Sequence, residues 1–550
     1  YGRGGGLVCV SVSGAPALGT LLDAMEAERT SLLHPEDTSR GRREHEPTKL
    51  LSSGCPAIFT AAKWRELYFK HPNSFVVCSV IFVLALTTVV VLPMEWSLMN
   101  KGVPPVCSKG GIAVMFPGLA AGGNTSAAAG APNERASADP QLFIFSGDSK
   151  HSVLIQVEKR YALRERVWRN VPTVGDKSSN QHELPAFQVN GVPSPRWKSV
   201  AVLANDTTMA IFGGESALGS SFHKASSNDL WLLSARGEGQ IEWRYVDFEK
   251  SSAKAAVPAA RKAHAASKVG SYMYMFGGKT CPEDEDDGED CEELGDLWRL
   301  DLTHWRWEKV GDTSQVAGGG SSGGESDGGG GGAWKGAAGG GPSPRHGHTG
   351  CTARVRDPSR GGELTEYFVV FAGRADKDGY FNDIWAFNTF NLTWEDWTPD
   401  YDHSTAEFFP SKRDHHHVAS VDGYGSGGDD GDGNGEKNPK MILFGGRGEP
   451  SSQKHQHKSS KVLNDLWHFD YVKKKWKEVR VRGKRPSARF LADYTQYDAA
   501  AASEGSDSLD PKLVIFGGDT SVPHNGRVDD LWELDIKTST WRNLEQSFKC

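Results

Sequence analysis

The chain has 550 residues, which is enough for two to four ordinary domains or for one large repeat domain with tails. Lys and Arg total 62 while Asp and Glu total 70, and the formal net charge of −8 disfavours a nucleic-acid-binding protein held by phosphate contacts. The 64 glycines and 17 tryptophans favour tight turns between aromatic-rich strands over a helical bundle. The eight cysteines are too few and too scattered for a disulfide-rich scaffold.

The N-terminal part of the sequence divides into a polar tail and an apolar run. Residues 1–73 lack sustained periodicity, so we expect a mostly disordered tail. Residues 75–92 contain no charged side chain, and Pro93 ends the run. Eighteen helical residues would span about 27 Å, close to the thickness of a hydrocarbon core. The run therefore predicts one transmembrane helix over 74–93, with a buried core segment or a cleaved signal peptide as the alternatives.

Three signals orient the predicted helix. Basic residues are more frequent on its N-terminal flank, which favours a cytosolic tail over 1–73. All three Asn-x-Ser/Thr glycosylation sequons, at Asn124, Asn205 and Asn391, follow the run. Cys281 and Cys291 flank one acidic loop, as an oxidising compartment would permit. We therefore expect a single-pass type II glycoprotein whose C-terminal part is lumenal or extracellular, and a cytosolic-facing propeller is the alternative.

An internal repeat organises the rest of the chain. Its first motif, Pro-x-x-Arg, ends at Arg196, Arg261, Arg345, Arg413 and Arg489. An apolar run with an aromatic residue and a glycine pair follows, as in MAIFGG ending at Gly214, and Asp-Leu-Trp or Asp-Ile-Trp comes next. Three motifs in a fixed order, five times over, are not a chance pattern.

The repeat indicates a four-stranded antiparallel unit. The apolar run predicts a buried second strand, and the glycine pair allows a sharp turn beside a neighbouring sheet. In four repeats a second Trp lies nine residues after the motif Trp, a constant spacing that predicts a tight hairpin between strands three and four. One such sheet cannot bury both of its faces alone, so the copies must stack.

This pattern resembles the kelch β-propeller family, which is related in fold to the central domain of galactose oxidase. The resemblance covers about residues 141–548 and implies an all-β propeller, with five full blades and a degenerate sixth around Phe145 and Trp168. Residues 94–140 form a stalk or linker in this interpretation, and Ile112–Phe116 could supply the missing first strand. The repeats are longer than the usual ~50 residues because of low-complexity inserts at 311–341, 422–438 and 499–510.

Residues that recur in every blade are most simply explained by the fold. The motif Asp residues are expected to accept hydrogen bonds at the turn into strand three. The motif arginines allow two interpretations, a cationic ring that binds an acidic ligand or ion pairs with the motif aspartates. The ligand-binding candidates are Arg196, Arg261, Arg345, Arg413 and Arg489.

Two features do not recur. The segment from Cys281 to Cys291 packs seven carboxylates between two cysteines, and a disulfide would hold them together. Its weak Ca²⁺ candidates are Asp284, Asp286, Asp287 and Asp290, although the spacing of an EF-hand is missing and a solvated loop is the alternative. A second disulfide, between Cys107 and Cys550, would join the two ends of the propeller.

Catalytic motifs are missing from the sequence. We found no Walker or zinc-hydrolase motif, and Cys351 has no distinctive Tyr or His neighbourhood in sequence. We therefore expect a membrane-anchored, non-catalytic kelch binding module for a protein or glycan partner, with no cofactor and no nucleic acid. The alternative from another class is a membrane-tethered carbohydrate-active enzyme, oxidase-like or epimerase-like.

Overall fold

The computed structural model describes the chain between residues 108 and 545, with gaps. The described ranges are 108–116, 141–145, 148–149, 158–163, 166–170, 173–174, 188–189, 191–217, 224–235, 241–248, 256–282, 291–313, 340–357, 360–400, 409–422, 438–450, 460–481, 483–500, 509–520 and 526–545. Within them, no helix is long and apolar enough to cross a membrane.

Several sequence-based predictions lie outside the described residues. They are the disordered tail at 1–73, the membrane helix at 74–93, the sequon at Asn124, the Cys107–Cys550 disulfide, and the Ca²⁺ candidates Asp284, Asp286, Asp287 and Asp290. Each of them remains a prediction.

The described residues form six antiparallel sheets, each with four strands in chain order, which we number as blades 1 to 6. The strands of blade 1 are Ile112–Phe116, Gln141–Phe145, Glu158–Ala162 and Val167–Asn170. Those of blade 2 are Val200–Asn205, Thr208–Phe212, Leu230–Ala235 and Ile241–Tyr245. Those of blade 3 are Ala265–Val269, Tyr272–Phe276, Asp296–Asp301 and Arg306–Asp312.

Blades 4 to 6 have longer second strands. The strands of blade 4 are Thr349–Asp357, Glu363–Ala375, Gly379–Asn388 and Thr393–Asp396. Those of blade 5 are His417–Val421, Lys440–Pro450, Ser460–Asp470 and Lys475–Glu478. Those of blade 6 are Asp493–Ala500, Leu509–Phe516, Leu531–Asp535 and Thr540–Glu545.

Further short strands accompany these six sheets. Thr173–Val174 pairs in parallel with the outer strand of blade 2. The others are Ser108–Lys109, Asp148–Ser149, Gln188–Val189, Val192–Pro193, Arg196–Trp197, Glu215–Ala217, Lys224–Ser226, Lys279–Thr280, Glu292–Glu293 and Arg413–Asp414.

The strands can be compared with the sequence boundaries in two places. Ile112–Phe116, inside the predicted stalk, pairs with Gln141–Phe145 and is the first strand of blade 1, the strand that the sequence analysis suggested it could supply. Strands also extend into the predicted inserts, because Arg306–Asp312 enters the first insert and Asp493–Ala500 enters the third. Each of these strands overlaps its predicted insert by two residues, 311–312 and 499–500.

The turn between strands three and four has one form in blades 3 to 6. Four residues separate the strands, and the fourth has a positive φ of 52–59° at Trp305, Leu392, Lys474 and Ser539. An Asp or Asn at the end of strand three caps the turn; for example, Asp470 Oδ1 accepts from the backbone N–H groups of Val472 and Lys473. This local capping explains the constant nine-residue Trp spacing.

Apolar clusters lie between consecutive blades. One cluster contains Ile211, Trp231 and Trp243 of blade 2 together with Phe143 and Phe145 of blade 1. Another joins blades 6 and 1 through Phe516 and Trp168, whose ring centroids are 5.5 Å apart. Each blade therefore buries its faces against its two neighbours, as expected for stacked repeats.

The first strands of the six blades surround a central channel. Neighbouring first strands contact one another in chain order, and the first strand of blade 6 contacts that of blade 1. The channel holds a cavity of about 570 Å³.

Six backbone groups close the end of the channel where the first strands begin. Each N–H donates to the carbonyl of the next member at 2.7–3.1 Å: Gly110 to Leu491, Leu491 to His415, His415 to Gly347, Gly347 to Ala263, Ala263 to Lys198, and Lys198 to Gly110. All six residues have φ between +49° and +66°. We call this cycle the closing ring.

Candidate functional site

The three sequence motifs meet in one buried interaction next to the closing ring. Each motif Arg donates from Nη1 and Nη2 to both carboxylate oxygens of its motif Asp at 2.6–3.0 Å. The same Nη1 donates at 2.8–3.1 Å to the carbonyl of the first glycine of the pair, or of Ala372 in blade 4, where Ala372-Gly373 replaces the pair. The Asp also accepts from the indole Nε1 of the motif Trp at 2.6–2.9 Å. The motifs recur together because each side chain satisfies the others.

Of the two interpretations of the motif arginines, the structure shows the ion pairs with the motif aspartates. Each guanidinium group is paired with a carboxylate of its own blade, and each side chain is at most 1 % exposed. The five residues are Arg196, Arg261, Arg345, Arg413 and Arg489. Burial alone would raise the pKa of Asp229, but the charge and hydrogen bonds of Arg196 outweigh it and lower that pKa. These pairs are part of the framework, and a functional surface must be sought elsewhere.

The position directly after each motif Arg differs in every blade. It holds Trp197, Lys262, His346, Asp414 and Phe490 in blades 2 to 6. Each of these residues pairs across a short ladder with a residue shortly after the glycine pair: Glu215, Lys279, Arg374, Arg447 and Asp519. We call these ten residues, with Lys109, Glu293 and Asp376, the collar.

Charged pairs of the collar cross the boundaries between blades. Lys262 of blade 3 donates to Glu215 of blade 2, and both side chains are buried. Lys279 of blade 3 lies 2.6 Å from Asp376 of blade 4. Lys109 next to blade 1 lies 3.3 Å from the Asp519 carboxylate of blade 6. The collar thus links separate blades by charge around the closed end of the channel.

Between blades 4 and 5 the collar is partly exposed. Arg447 donates to both oxygens of the buried Asp414 at 2.5–3.0 Å, and Arg374 lies 3.6 Å from the same carboxylate. The side chains of Arg374 and Arg447 are 31 % and 24 % exposed. Burial lowers the pKa of His415 to about 4, although Asp414 opposes the shift, so His415 is neutral at physiological pH.

Glu293, His346 and Asp376 bring potential metal ligands within 4.8 Å of one another. His346 Nδ1 lies 3.6 Å from Glu293, and its Nε2 accepts a hydrogen bond from Arg374 at 2.9 Å. An Nε2 that accepts this bond leaves the proton on Nδ1, which then cannot ligate a cation. The nearby His346 ring lowers the pKa of Glu293 to about 2, and Lys279 neutralises Asp376. The arrangement is a charge-balanced ion network.

The channel wall is held by polar side chains that bridge neighbouring first strands. Ser267 of blade 3 hydrogen-bonds Thr352 of blade 4 at 2.8 Å. Ser420 of blade 5 and Gln496 of blade 6 exchange two hydrogen bonds through backbone and amide groups at 2.7 and 3.0 Å. These bridges fix the spacing of the inner strands.

One buried carboxyl in this wall has no equivalent bridge. In blade 5, His417 contacts the Phe444 carbonyl and accepts from the Ala492 N–H at 3.0–3.1 Å. Asp493 occupies the equivalent position of blade 6, is 2 % exposed, and makes no hydrogen bond of good geometry within the described residues. Burial raises its pKa well above the usual range, and the nearby Gly111 backbone offsets this only in part.

Cys351 has a neighbourhood that sequence reasoning missed. Its Sγ lies 3.3 Å from the hydroxyl of Tyr471, which is 120 residues away, and 3.7 Å from Met441 Sδ. Burial raises the pKa of the thiol to about 12 and that of Tyr471 well above its usual value. Both groups are therefore protonated at neutral pH, and the thiol packs as a small apolar side chain rather than as a nucleophile.

Other predicted site residues occupy exposed turns or loop ends. Asn205 and Asn391 are exposed, and their side-chain oxygens accept from the backbone N–H groups of Thr207 and Thr393. A disulfide joins Cys281 and Cys291, whose Cα atoms are 4.2 Å apart. It flanks the Lys279–Thr280 and Glu292–Glu293 hairpin, which carries two collar residues.

Comparisons with known proteins agree with the repeat. The family model described as the KLHDC2/KLHL20/DRC7 Kelch-repeats domain matches residues 135–323 and 334–549. Kelch domain-containing protein 3 of Homo sapiens is 24 % identical over 376 residues, which are 67 % of this chain and 71 % of that protein. The Bos taurus protein of the same name is 25 % identical over 287 residues, 51 % of this chain and 53 % of that protein.

A further relative matches over a shorter stretch. The Leucine-zipper-like transcriptional regulator 1 homolog of Drosophila melanogaster is 26 % identical over 171 residues, which are 31 % of this chain and 14 % of that protein. The family model covers more than half of the chain, in the region where the six sheets lie. The chain belongs to the KLHDC2/KLHL20/DRC7 Kelch-repeats domain family.

Proposed function

We propose that this chain is a membrane-anchored, non-catalytic binding module that docks a protein partner on its collar. The kelch repeats support the general function of protein binding, because kelch repeats generally serve as protein-interaction modules. The observation that carries the location is the contrast within the repeat itself. The buried Arg–Asp pair is the same in five blades, whereas the next position holds five different side chains on equivalent backbone. These five side chains are buried, and they set the charge and packing beneath the partly exposed collar groups such as Arg374 and Asp376, whose setting therefore differs from blade to blade.

The chemistry of the collar favours a polar partner segment that carries both charges. Arg374 and Asp376 are 31 % and 41 % exposed and lie on one edge of the collar. Glu292 is exposed beside them. Such groups give electrostatic complementarity and orientation more than raw affinity.

A display experiment tests this location. Random peptides would be selected on the full chain in mild detergent, and their affinities measured for two variants of blade 4. R374A/D376A removes a cation and an anion from the collar. R354A/E366A removes an ion pair of 2.9 Å, with side chains 51 % and 31 % exposed, from strands one and two of the same blade.

The expected result is a loss of about tenfold for R374A/D376A, as for one to two exposed charge contacts, with R354A/E366A unchanged. Melting curves of both variants verify folding. Equal binding to R374A/D376A and the wild type, or loss only with R354A/E366A, would contradict a collar site.

The membrane part of the proposal rests on the uncharged run at 75–92. Translation with microsomes, followed by carbonate extraction and glycosidase digestion, tests it. We expect a carbonate-resistant product whose mobility shifts on digestion, and a smaller shift for N205Q/N391Q. A product that carbonate extracts would contradict anchoring. A resistant product without a shift would favour the opposite topology.

A further inference from the structure

We propose that the disulfide between Cys281 and Cys291 regulates partner binding at the collar. Its reduction by a dithiol loosens the edge of blade 4 that carries Arg374 and Asp376, and the partner then binds more weakly. This regulation rests on the proposed function, because it requires the collar to be the docking surface. A change between disulfide and thiols is a local event that can shift a surface between two states.

The hairpin next to the disulfide has only two residue pairs. Lys279 pairs with Glu293 and Thr280 pairs with Glu292, and the next residue on each strand is a cysteine of the disulfide. So short a hairpin is marginal by itself, and closing the loop beyond it costs conformational entropy. Seven carboxylates lie between the two cysteines in sequence, and their mutual repulsion also opposes closure. The disulfide therefore holds the far end of the hairpin together.

The two strands of the hairpin are not held equally at their base. Lys279 exchanges two backbone hydrogen bonds of 2.9 Å with Lys262. Glu293 lies on the other strand, where its position depends on the pairing with Lys279 and on the next residue, Leu294, whose N–H donates to the Gly278 carbonyl at 2.9 Å. Reduction should therefore loosen Glu293 more than Lys279.

Glu293 connects this hairpin to blade 4. Its Oε1 accepts a hydrogen bond from the backbone N–H of Asp376 at 3.0 Å and lies 3.6 Å from His346 Nδ1. Asp376 lies in the turn between strands two and three of blade 4, two residues after Arg374. A shift of Glu293 thus removes a bond that fixes the backbone beside two partly exposed collar residues.

The proposed reduction is a disulfide exchange that transfers two electrons. One thiolate of the dithiol attacks one cysteine sulfur, forms a mixed disulfide and releases the other cysteine, which takes up a proton. The second thiol of the reductant then attacks the reductant sulfur of the mixed disulfide. This step closes a cyclic disulfide and releases the attacked cysteine as a second thiol. Cys281 and Cys291 are both half-buried, so their sulfur atoms are not enclosed as that of Cys351 is.

Hydrogen–deuterium exchange of the full chain in mild detergent tests the coupling without any partner. The chain is compared before and after treatment with dithiothreitol, and the mass after alkylation verifies reduction of Cys281 and Cys291. We expect faster exchange at 292–293 and at Asp376, with unchanged exchange at Lys262. Unchanged exchange at Asp376 would overturn the coupling. Because no peptide is used, this result is distinct from a failure of the collar as a docking surface.

The second measurement is the affinity of a display-selected peptide whose binding R374A/D376A weakens. C281S/C291S removes the disulfide without a reductant, and its melting curve verifies folding. We expect dithiothreitol to weaken binding to the wild type about fivefold. C281S/C291S should bind as weakly as the reduced wild type and be unaffected by dithiothreitol. In E293A the reductant should have little further effect, because the link to Asp376 is already lost.

Two results would overturn the proposed regulation. Equal affinity of the oxidised and reduced wild type would show that the disulfide does not control the collar. An equal loss of affinity when C281S/C291S is treated with dithiothreitol would place the sensitive bond elsewhere in the chain.

Discussion

The backbone N–H of Gly110 donates to the Leu491 carbonyl at 2.8 Å and joins the first blade to the last. The neighbouring Lys109 and Asp519 side chains add an ion pair of 3.3 Å across the same boundary. All four described strands of blade 1 and of blade 6 come from one contiguous segment each. In the described residues, the closing ring and the packing between blades 6 and 1 therefore join the first blade to the last. Neither blade takes one of its four described strands from the other end of the chain.

The closing ring predicts opposite effects for two small substitutions. Gly347→Ala should destabilise the fold by about 1–3 kcal/mol, because Gly347 has φ +66° and an added Cβ would lie 2.8 Å from the His415 ring. Ala263→Gly should stabilise it by up to about 1 kcal/mol, because glycine removes the strain of φ +53°. Chemical denaturation measures both changes.

Gly379→Ala is the matched control for Gly347→Ala. Its φ is +79°, and an added Cβ would meet nothing within 4 Å, so it reports the conformational cost without the contact. If Gly347→Ala cost no more than Gly379→Ala, the close approach within the ring would be refuted.

The buried pair of Arg489 and Asp530 predicts strong coupling. Arg489→Met leaves the Asp530 carboxylate without its two guanidinium hydrogen bonds of 2.6 and 3.0 Å, and should destabilise by about 3–5 kcal/mol. Adding Asp530→Asn removes the stranded charge, so the double variant should be less destabilised than the sum of the single variants. Additive effects in the double-mutant cycle would contradict the pair.

Asp493 predicts a pH-dependent gain in stability on substitution. Its folded pKa is raised, so the folded state holds this proton more tightly than the unfolded state and stability falls as pH rises above the unfolded pKa of about 4. Asp493→Asn removes the penalty and should raise the melting temperature more at pH 8 than at pH 5. A difference between variant and wild type that is independent of pH would show that the Asp493 pKa is not raised.

The strands of blades 2 to 6 could be predicted from the sequence because their determinants are local. An apolar run, a glycine pair (Ala372-Gly373 in blade 4) and an Asp-x-Trp follow one another in each unit. Each motif contacts a neighbour only a few tens of residues away, as Arg261 and Asp296 do. These local patterns could not decide whether the motif arginines bind a ligand or pair with the motif aspartates. A sequence position near the channel does not show whether the side chain points into it or returns to its own blade.

The collar was not predicted from the sequence, because its side-chain contacts join residues that are far apart in the chain. Lys279 and Asp376 belong to different blades and are 97 residues apart in sequence. His346 of blade 4 likewise contacts Glu293 of blade 3. The sequence motifs specify neither contact. A signal was nevertheless present. The position after each motif Arg varies while its neighbours repeat, and this contrast can be found in the sequence alone.

The most direct test of the collar as the docking surface is hydrogen–deuterium exchange of the full chain with and without a peptide selected on it. The expected result is slower exchange in segments that carry the collar, around residues 372–382 and 412–417, with no change in the turns at 302–305 and 471–474. Protection confined to those turns, with unchanged exchange in the collar segments, would contradict the proposal.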